Sequence, residues 1–306
     1  MKLMVPASTL KDAKDLLNNG ADDIYLGMQT NFFHQYSFNG RAKTAKSGKM
    51  VLPSFEELKR ICLYVHSRGG NIYFLANTPF VNGGADKFKK EFLNHVHEGI
   101  SAGADYIILG DILSIHWVRE NFPDAKIAAS SYLEVQNLET LRFLETLSVK
   151  QVILSYQSTL DEIKEICAKS KIQIEIFGHG GCSFYVGTCN MFHEMGECVK
   201  IGYPCRAKYQ VYYGDTFLGE KRILDSFTMC SLCKIRELDS YNVHSLKIVG
   251  RDLPAPYILE IVKTYRRAIE LCTGDLKSVL DVDLPDWWRK SWCAAGNLCR
   301  YGREIK

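Results

Sequence analysis

The sequence lacks a long apolar run, since no segment approaches the roughly 20 residues that a membrane-spanning helix needs. Its first residues, from Met1 to Pro6, also lack the apolar stretch of a signal peptide. A charge excess of one sign is missing as well, because 38 lysines and arginines nearly balance 35 aspartates and glutamates. This balance does not point to a nucleic-acid-binding or membrane-surface protein. We therefore expect a cytoplasmic protein without a membrane segment.

Two motifs of enzyme chemistry are absent too. No G-x-G-x-x-G follows the first predicted strand, which argues against a dinucleotide site. No H-E-x-x-H occurs, because His193-Glu194 is followed by Met195-Gly196-Glu197 without a second histidine. What is present is a chain of 306 residues, 46% of them hydrophobic, which is enough for one large domain or two ordinary ones.

Cysteine, by contrast, is abundant, with 11 residues in a chain that we expect to occupy a reducing compartment. Cys62, Cys167 and Cys272 stand alone inside apolar helical patterns, and we expect each to be buried as a small hydrophobic side chain. The other eight fall between residues 182 and 299. Thiol chemistry is therefore expected in the second half of the chain.

Apolar runs of strand length alternate with segments of helical period, which is typical of a parallel βα fold. The junctions Asn19–Gly27 and Ala102–Gly110 resemble each other, and each ends a helix at glycine and opens a buried strand. Eight strands predict an α/β protein with a TIM-type (β/α)8 barrel, with an open sheet as the alternative. The predicted strands are Lys2–Pro6, Asp23–Gly27, Asn71–Asn77, Asp105–Gly110, Lys126–Ser130, Gln151–Ser155, Ile172–Phe177 and Ser245–Val249. The predicted helices include Leu10–Asn19, Phe55–Arg68, Lys87–Ala102, Glu139–Leu147, Leu160–Lys169 and Pro256–Leu271.

Residues 178–244 separate the seventh and eighth predicted strands, a much longer connection than βα units need. We predict that 1–272 form the barrel, with 178–244 as a cluster-binding insertion, and that 273–306 form a tail packed on the barrel. The insertion contains Cys182-x6-Cys189-x8-Cys198-x6-Cys205 among many glycines, which allow a chain to wrap closely around a bound group. Structural zinc and an iron-sulfur cluster each need about four thiolates, and gaps without a C-x2-C knuckle favour the cluster. Spacing alone selects these four cysteines.

Further cysteines keep several interpretations open. Cys230-x2-Cys233 has the spacing of a metal-binding knuckle, but apolar neighbours also suit packing within a helix. Cys293 and Cys299 could close over the insertion, bind a second metal or be unrelated thiols, and we favour the last interpretation. His193 is a fallback ligand.

Polar residues follow the predicted strands, where a TIM-type barrel carries its chemistry. As a ring, they mark the expected mouth of the barrel. They are Asn77, Thr78, Asp111, Ser130, Ser131, Ser155, Gln157, His179, Gly250 and Arg251.

Several stretches resemble one known family, the collagenase-like peptidase family U32. They are Leu3–Ala7, Asn19–Gly27, Phe38–Ala42, Ala76–Thr78, Phe177–Cys182, Gly187–Cys189, Pro204–Tyr209 and Ser245–Arg251. The resemblance implies a 4Fe-4S cluster held by Cys182, Cys189, Cys205 and Cys233, with Cys198 as the fallback ligand. This ligand set differs from the one chosen by spacing at one position, where Cys233 replaces Cys198. We adopt the set that the resemblance implies, because a ligand from further along the chain would tie both ends of the insertion to one cluster.

The same resemblance implies an activity. Better understood relatives are oxygen-independent hydroxylases that act on a ubiquinone precursor or on cytosine or uridine in ribosomal or transfer RNA, with prephenate as oxygen source. Two differences stand out: six residues separate Cys198 from Cys205 where many relatives have three, and the long C-terminal extension of some RNA-modifying members is missing. We therefore expect a small anionic or aromatic substrate, with RNA allowed but not favoured.

Basic residues on predicted loops could bind the carboxylates of such a compound. The candidates are Arg41, Arg206, Lys208 and Arg251. Of these, we predict that Arg41 and Arg251 join His179 in one catalytic pocket at the mouth, because His179 follows the seventh strand and Arg251 follows its neighbour, the eighth.

Two other functions remain open. A metal-dependent peptidase would need a water-activating site, and Ser130, His179 and Asp111 form only a hypothetical triad. A non-catalytic, cluster-bearing subunit of a homodimer or heterodimer is the second alternative. Its partner could bind the apolar stretch Leu284–Trp288, although paired tryptophans more often pack against their own domain.

Overall fold

The structure is a computed structural model of the chain. It describes residues 1–28, 30, 52–77, 86–180, 208–221, 230–250, 253–272, 284–293 and 299–301, with the side chains of 291 and 292 excepted. None of the helices among these residues is long and apolar enough to cross a membrane.

Eight parallel strands form a closed barrel, in which each strand pairs with two neighbours and the last pairs with the first. The predicted TIM-type barrel is confirmed, and the open-sheet alternative is wrong. The barrel strands are β1 (Lys2–Pro6), β2 (Asp23–Leu26), β3 (Ile72–Leu75), β4 (Tyr106–Leu109), β5 (Lys126–Ala129), β6 (Gln151–Ile153), β7 (Gln173–His179) and β10 (Ser245–Ile248).

Helices follow the strands and cover the outside of the barrel. Side-chain caps fix several helix starts: the Thr9, Ser54 and Asn137 side chains each accept a hydrogen bond from a backbone N–H of the first turn. Thr159 and Glu162 form a complete capping box. The helices are α1 (Leu10–Leu17), α2 (Phe55–Ser67), α3 (Asp86–Ala102), α4 (Ile112–Asn121), α5 (Leu138–Thr146), α6 (Leu160–Lys169), α7 (Ile235–Ser240), α8 (Ala255–Cys272) and α9 (Asp286–Trp288).

Alternation along the strands creates two separate apolar cores. In β1, Leu3 and Val5 face the helices while Met4 faces the barrel axis, as expected for a period of two. The outer core is the larger one and includes Cys62. Burial raises the pKa of the Cys62 thiol to about 12, as expected for the buried small hydrophobic side chain that we predicted. Cys167 and Cys272 pack against the same core but are only partly buried, so the prediction of full burial is wrong for these two.

The long connection between β7 and β10 carries an antiparallel hairpin, β8 (Tyr209–Tyr213) and β9 (Thr216–Lys221). Helix α7 follows it and leads back into the barrel. The division of the chain into barrel, insertion and tail stays a prediction, because much of 178–244 and 273–306 lies outside the described residues.

Candidate functional site at the barrel mouth

Polar side chains at the carboxyl ends of the strands bind one another across the mouth. The Asn77 amide nitrogen donates to the Ser130 hydroxyl oxygen at 2.9 Å, and the Gln136 amide donates to the Ser155 hydroxyl oxygen at 3.1 Å. The buried Oδ1 of Asn77 has no hydrogen-bond partner within the described part of the chain. Of the predicted ring, Asn77 after β3 and Ser130 after β5 are thus joined to each other, while Ser155 after β6 binds Gln136, which the ring did not include.

Below this ring, the barrel interior holds a network of buried polar side chains. The Lys247 ammonium lies 3.1 Å from Glu175 Oε1 and forms an ion pair with it. Glu175 Oε2 accepts hydrogen bonds from Gln151 Nε2 at 2.7 Å and from the Ser245 hydroxyl at 2.8 Å. Burial raises the pKa of Glu175, and the nearby charge of Lys247 opposes this shift. Three donors therefore stabilise one carboxylate in a region that barrels usually fill with branched apolar side chains.

Arg300 reaches the mouth from the C-terminal part of the chain. Its guanidinium lies 4.1 Å from the ring centroid of Tyr156, and it donates hydrogen bonds of 2.6 Å to the carbonyl oxygens of Phe177 and Gly180. Tyr156 and Phe177 both belong to the core inside the barrel. Arg300 thus places a positive charge over the inner edge of β7.

His179 occupies a different environment from the predicted pocket. Its ring is fully buried and lies 5.0 Å from the ring of Trp288 and 5.6 Å from that of Tyr265, centroid to centroid. Burial, with a smaller effect of the Arg300 charge, lowers the pKa of His179 to about 3. These contacts give the imidazole a packing role among aromatic rings, and its catalytic assignment stays a prediction.

The same aromatic cluster includes part of the predicted partner surface. Trp288 is fully buried, and the Trp287 ring lies beside it with 5.7 Å between the ring centroids. The alternative interpretation of Leu284–Trp288, packing against the chain's own barrel, is therefore the correct one for Trp288.

Cys230 lies beside the end of β7, near three other described cysteines. Cys230 forms isolated β-bridges with both His179 and Cys299. Burial raises the pKa of Cys230 to about 12, and the charges of Cys233 and Cys293 act in the same direction. Cys230 is packed in the outer core, whereas Cys233 is exposed. Cys299 therefore lies beside Cys230 rather than being unrelated to this region, and the ligand role of Cys233 stays a prediction.

Most other predicted site residues lie outside the described residues: Arg41, Thr78, Cys182, Cys189, His193, Cys198, Cys205, Arg206 and Arg251. Lys208 is described, and it lies on the exposed hairpin base, 3.6 Å from Glu220. Among the residues that the structure does describe, no three histidine, cysteine, aspartate or glutamate side chains could hold a metal ion together.

The hypothetical triad receives no support from its described contacts. Asp111 caps α4 by accepting hydrogen bonds from the backbone of Leu113 and Ser114. The Ser130 hydroxyl is bound to Asn77, and His179 is enclosed by aromatic rings.

The sequence patterns did not indicate Lys247, Glu175 or Arg300 as site residues. A signal for the first two was present, because a period of two through β10 and β7 turns the same face inward at Ser245, Lys247 and Glu175. For Arg300 the sequence offers no comparable pattern, since its position depends on a segment outside the barrel repeat.

These features define a (β/α)8-barrel protein with a charged, aromatic mouth and a cysteine-bearing insertion. The sequence profile of Peptidase family U32 matches residues 8–291, and the chain belongs to this family. The solved U32 peptidase Mk0906 shares the fold, with a TM-score of 0.50 and 13% identity over 83% of this chain and 94% of its own.

Curated relatives differ in their described activities. The chain is 28% identical to an uncharacterized protease of Methanocaldococcus jannaschii, over 88% of this chain and 65% of the relative. It is 25% identical to tRNA hydroxylation protein P of Escherichia coli, over 88% and 68%. It is 23% identical to a 23S rRNA 5-hydroxycytidine synthase of Escherichia coli, over 88% and 39%. The chain therefore spans about two thirds or less of the length of these relatives.

Proposed function

We propose that this chain is an enzyme that hydroxylates a base in RNA. The observation that carries the proposal is its similarity, over 88% of its length, to a protein named for tRNA hydroxylation and to an rRNA 5-hydroxycytidine synthase. This proposal takes RNA rather than a small aromatic ring as the modified substrate, and so reverses the expectation that RNA is allowed but not favoured. A free quinone precursor is not the modified substrate in it, and the added oxygen atom would come from an oxygen-donating co-substrate that is reduced by two electrons as the base is oxidised.

The proposed cofactor is a 4Fe-4S cluster held by Cys182, Cys189, Cys205 and Cys233. Of these ligands, Cys233 is the one that lies within the described residues, and its side chain is exposed. In the sequence, Cys182 follows His179, the last residue of β7, by three residues. Cys233 follows Cys230 by three residues, and Cys230 pairs with His179 at this corner of the barrel.

The chain's own residues would bind and orient the substrate next to that corner. A cluster there would supply one-electron redox chemistry. Asn77 and Ser130 offer neutral hydrogen-bonding groups at the mouth, and Tyr156 and Phe177 offer aromatic surface beneath Arg300. A base turned out of an RNA strand is recognised through these two kinds of contact, hydrogen bonds to its edge and stacking on its face.

The test is expression in an Escherichia coli strain that lacks its own tRNA hydroxylation protein and rRNA 5-hydroxycytidine synthase. Total RNA is digested to nucleosides, and mass spectrometry searches for pyrimidines with one added oxygen atom. The proposal predicts that at least one hydroxylated nucleoside returns with this chain and not with its Cys233→Ala variant. Unmodified RNA in the presence of soluble, iron-loaded protein would refute it, and cleavage of peptides by iron-free protein would support the peptidase alternative.

A further inference from the structure

The thiols of Cys230 and Cys299 are neighbours at the end of β7. The two residues are partners in a parallel β-bridge, and the backbone N–H of Arg300 donates to the carbonyl oxygen of Cys230 at 2.9 Å. Residues paired across adjacent extended segments project their side chains to the same face. Folding therefore places two cysteines from distant parts of the chain side by side.

The spacing of this pair suits a disulfide bond. Adjacent strands lie about 4.7–4.9 Å apart, which falls within the range of roughly 4.4–6.8 Å between the Cα atoms of bonded cysteines. The Cβ atoms of paired residues lie about 4.5–5.5 Å apart, and a disulfide needs about 3.5–4.5 Å, so the two segments have to approach each other slightly. A bridge of one residue pair, as the described part of the chain shows here, allows this approach more readily than a continuous ladder does.

Exposure sets the order in which the two thiols react. Cys299 is partly exposed, whereas Cys230 is buried in the outer core, so a small disulfide in solution reaches Cys299 first. The Cys299 thiolate attacks one sulfur of that oxidant and releases one small thiol. Cys230 then loses its proton and attacks the Cys299 sulfur of the mixed disulfide, slowly because burial raises the pKa of Cys230 to about 12, and the second small thiol leaves. The protein thus gives up two electrons and two protons, and the oxidant is reduced to two thiols.

The new bond would fix the segment that carries Arg300. The Arg300 guanidinium lies 4.1 Å from the ring centroid of Tyr156 and covers one face of this ring. A base inserted between the two groups would need about 3.5 Å on each of its faces, so this gap excludes it. A base can stack on that face of Tyr156 only after Arg300 moves away, and a disulfide at the preceding residue prevents the movement.

We propose that Cys230 and Cys299 are a redox site, which a small disulfide converts into a protein disulfide that holds Arg300 over Tyr156. The bond closes the aromatic part of the mouth under oxidising conditions, and a small thiol reopens it by the reverse exchange. Neither cysteine belongs to the ligand set or to the substrate contacts of the proposed function. Formation of the disulfide is independent of that function, and only its effect on a stacked base rests on it.

The experiment treats the anaerobically purified full chain with oxidised glutathione, blocks the remaining thiols with N-ethylmaleimide and digests the protein with trypsin. Mass spectrometry then searches for the peptide of Cys230 joined to the peptide of Cys299. These tryptic peptides also contain Cys233 and Cys293, respectively, so fragmentation has to show which sulfurs are bonded and which are blocked. The expected bond joins Cys230 to Cys299, and a bond that uses Cys233 or Cys293 instead overturns the proposal.

Variants test the order of the two steps. Cys230→Ser should stop at the mixed disulfide between glutathione and Cys299, and Cys299→Ser should leave Cys230 as a thiol. The partly exposed position of Cys299 provides the test if the buried Cys230→Ser variant fails to fold. Cys293→Ser is the matched control and should still form the bond. Loss of the bond in this control, or its absence from oxidised wild-type protein, contradicts the proposal.

Hydrogen exchange of the Arg300 amide tests whether the bond holds the segment. This amide donates to Cys230 in the reduced protein, and the disulfide should slow its exchange about tenfold by restricting local opening. In Cys299→Ser the same oxidant should leave the exchange rate unchanged. Equal rates in reduced and oxidised wild-type protein would refute the holding of Arg300. Because no RNA is present in these measurements, failure of the reduced protein to hydroxylate RNA would count against the proposed function alone.

Discussion

The Tyr265 hydroxyl donates a 2.6 Å hydrogen bond to the carbonyl oxygen of Gly178, which ties α8 to the end of β7. The same oxygen accepts a 2.7 Å hydrogen bond from the hydroxyl of Ser231, next to Cys230. Three parts of the chain thus meet at one backbone oxygen: the seventh strand, the last barrel helix and the segment that leads to the exposed thiol of Cys233.

Replacing Tyr265 with phenylalanine should lower the free energy of unfolding by about 1 kcal/mol, the usual net contribution of a buried hydrogen bond. The loss is limited because Ser231 still donates to Gly178. Urea denaturation measures it. Tyr257→Phe, on the same helix but half exposed, is the matched control and should change stability much less. If both variants lower the free energy of unfolding equally, the hydrogen bond from Tyr265 to Gly178 does not stabilise the fold as we expect.

Cysteine variants should separate ligands from packed thiols. Cys233→Ala should remove most of the iron and sulfide from anaerobically purified protein, because metal thiolates are ligands that alanine cannot replace. Cys62→Ala should retain the full cluster, because Cys62 is packed on helix α2 within the outer core. Iron and sulfide analysis provides the measurement. Protein that contains zinc and no sulfide would show that no iron-sulfur cluster is bound. If Cys198→Ala loses its iron and Cys233→Ala does not, then Cys198 rather than Cys233 is the fourth ligand.

Acid should destabilise the protein partly through His95. This buried imidazole donates to the carbonyl oxygen of Leu75 at 3.2 Å, and burial lowers its pKa to about 4. Above pH 6.5 the histidine is neutral in both the folded and the unfolded chain, and its contribution to the free energy of unfolding is fully present. Between about pH 6.5 and 4 only the unfolded chain takes up the proton, which costs about 1.4 kcal/mol of stability per pH unit.

The measurement for His95 is the free energy of unfolding at pH 7 and pH 5. His95→Gln should reduce the loss over this range by about 2 kcal/mol relative to wild type, and buried His179 will maintain part of the slope in both proteins. His116→Gln, at an exposed position of α4, should leave the slope unchanged. A wild-type slope in the His95 variant would show that its pKa is not lowered in the folded protein.

Breaking the buried ion pair on one side should cost more than removing it entirely. Lys247→Met leaves Glu175 charged and buried, and we expect a loss of about 3–5 kcal/mol, whereas adding Glu175→Gln should restore most of it. The raised pKa of Glu175 implies that the single variant regains stability as the pH falls, because protonation removes the unpaired charge. Thermal unfolding at two pH values tests both statements. A double variant less stable than Lys247→Met would show that the unpaired charge of Glu175 is not what destabilises the single variant.

Local pattern alone located most of the barrel. The bounds of β1 and α6 agree with prediction, because an apolar run and a capping sequence are both local signals. Helix α4 was missed, although its Asp111 cap is visible in the sequence, because its buried positions include Ser114 as well as apolar residues. The hairpin of β8 and β9 was missed too, since the exposed Tyr213 and Phe217 do not show the alternation of a half-buried strand.

The sequence by itself determined the barrel strands and the family, because the strands depend on periodicity and the family on short motifs. Only the tertiary structure decided that Lys247 meets Glu175, that Arg300 lies over Tyr156 and that His179 packs between Tyr265 and Trp288. These partners are far apart in the chain, and their contacts form only when the barrel closes and the C-terminal segment packs on it. A side chain's neighbours across a closed sheet follow from strand register, which no single stretch of sequence contains.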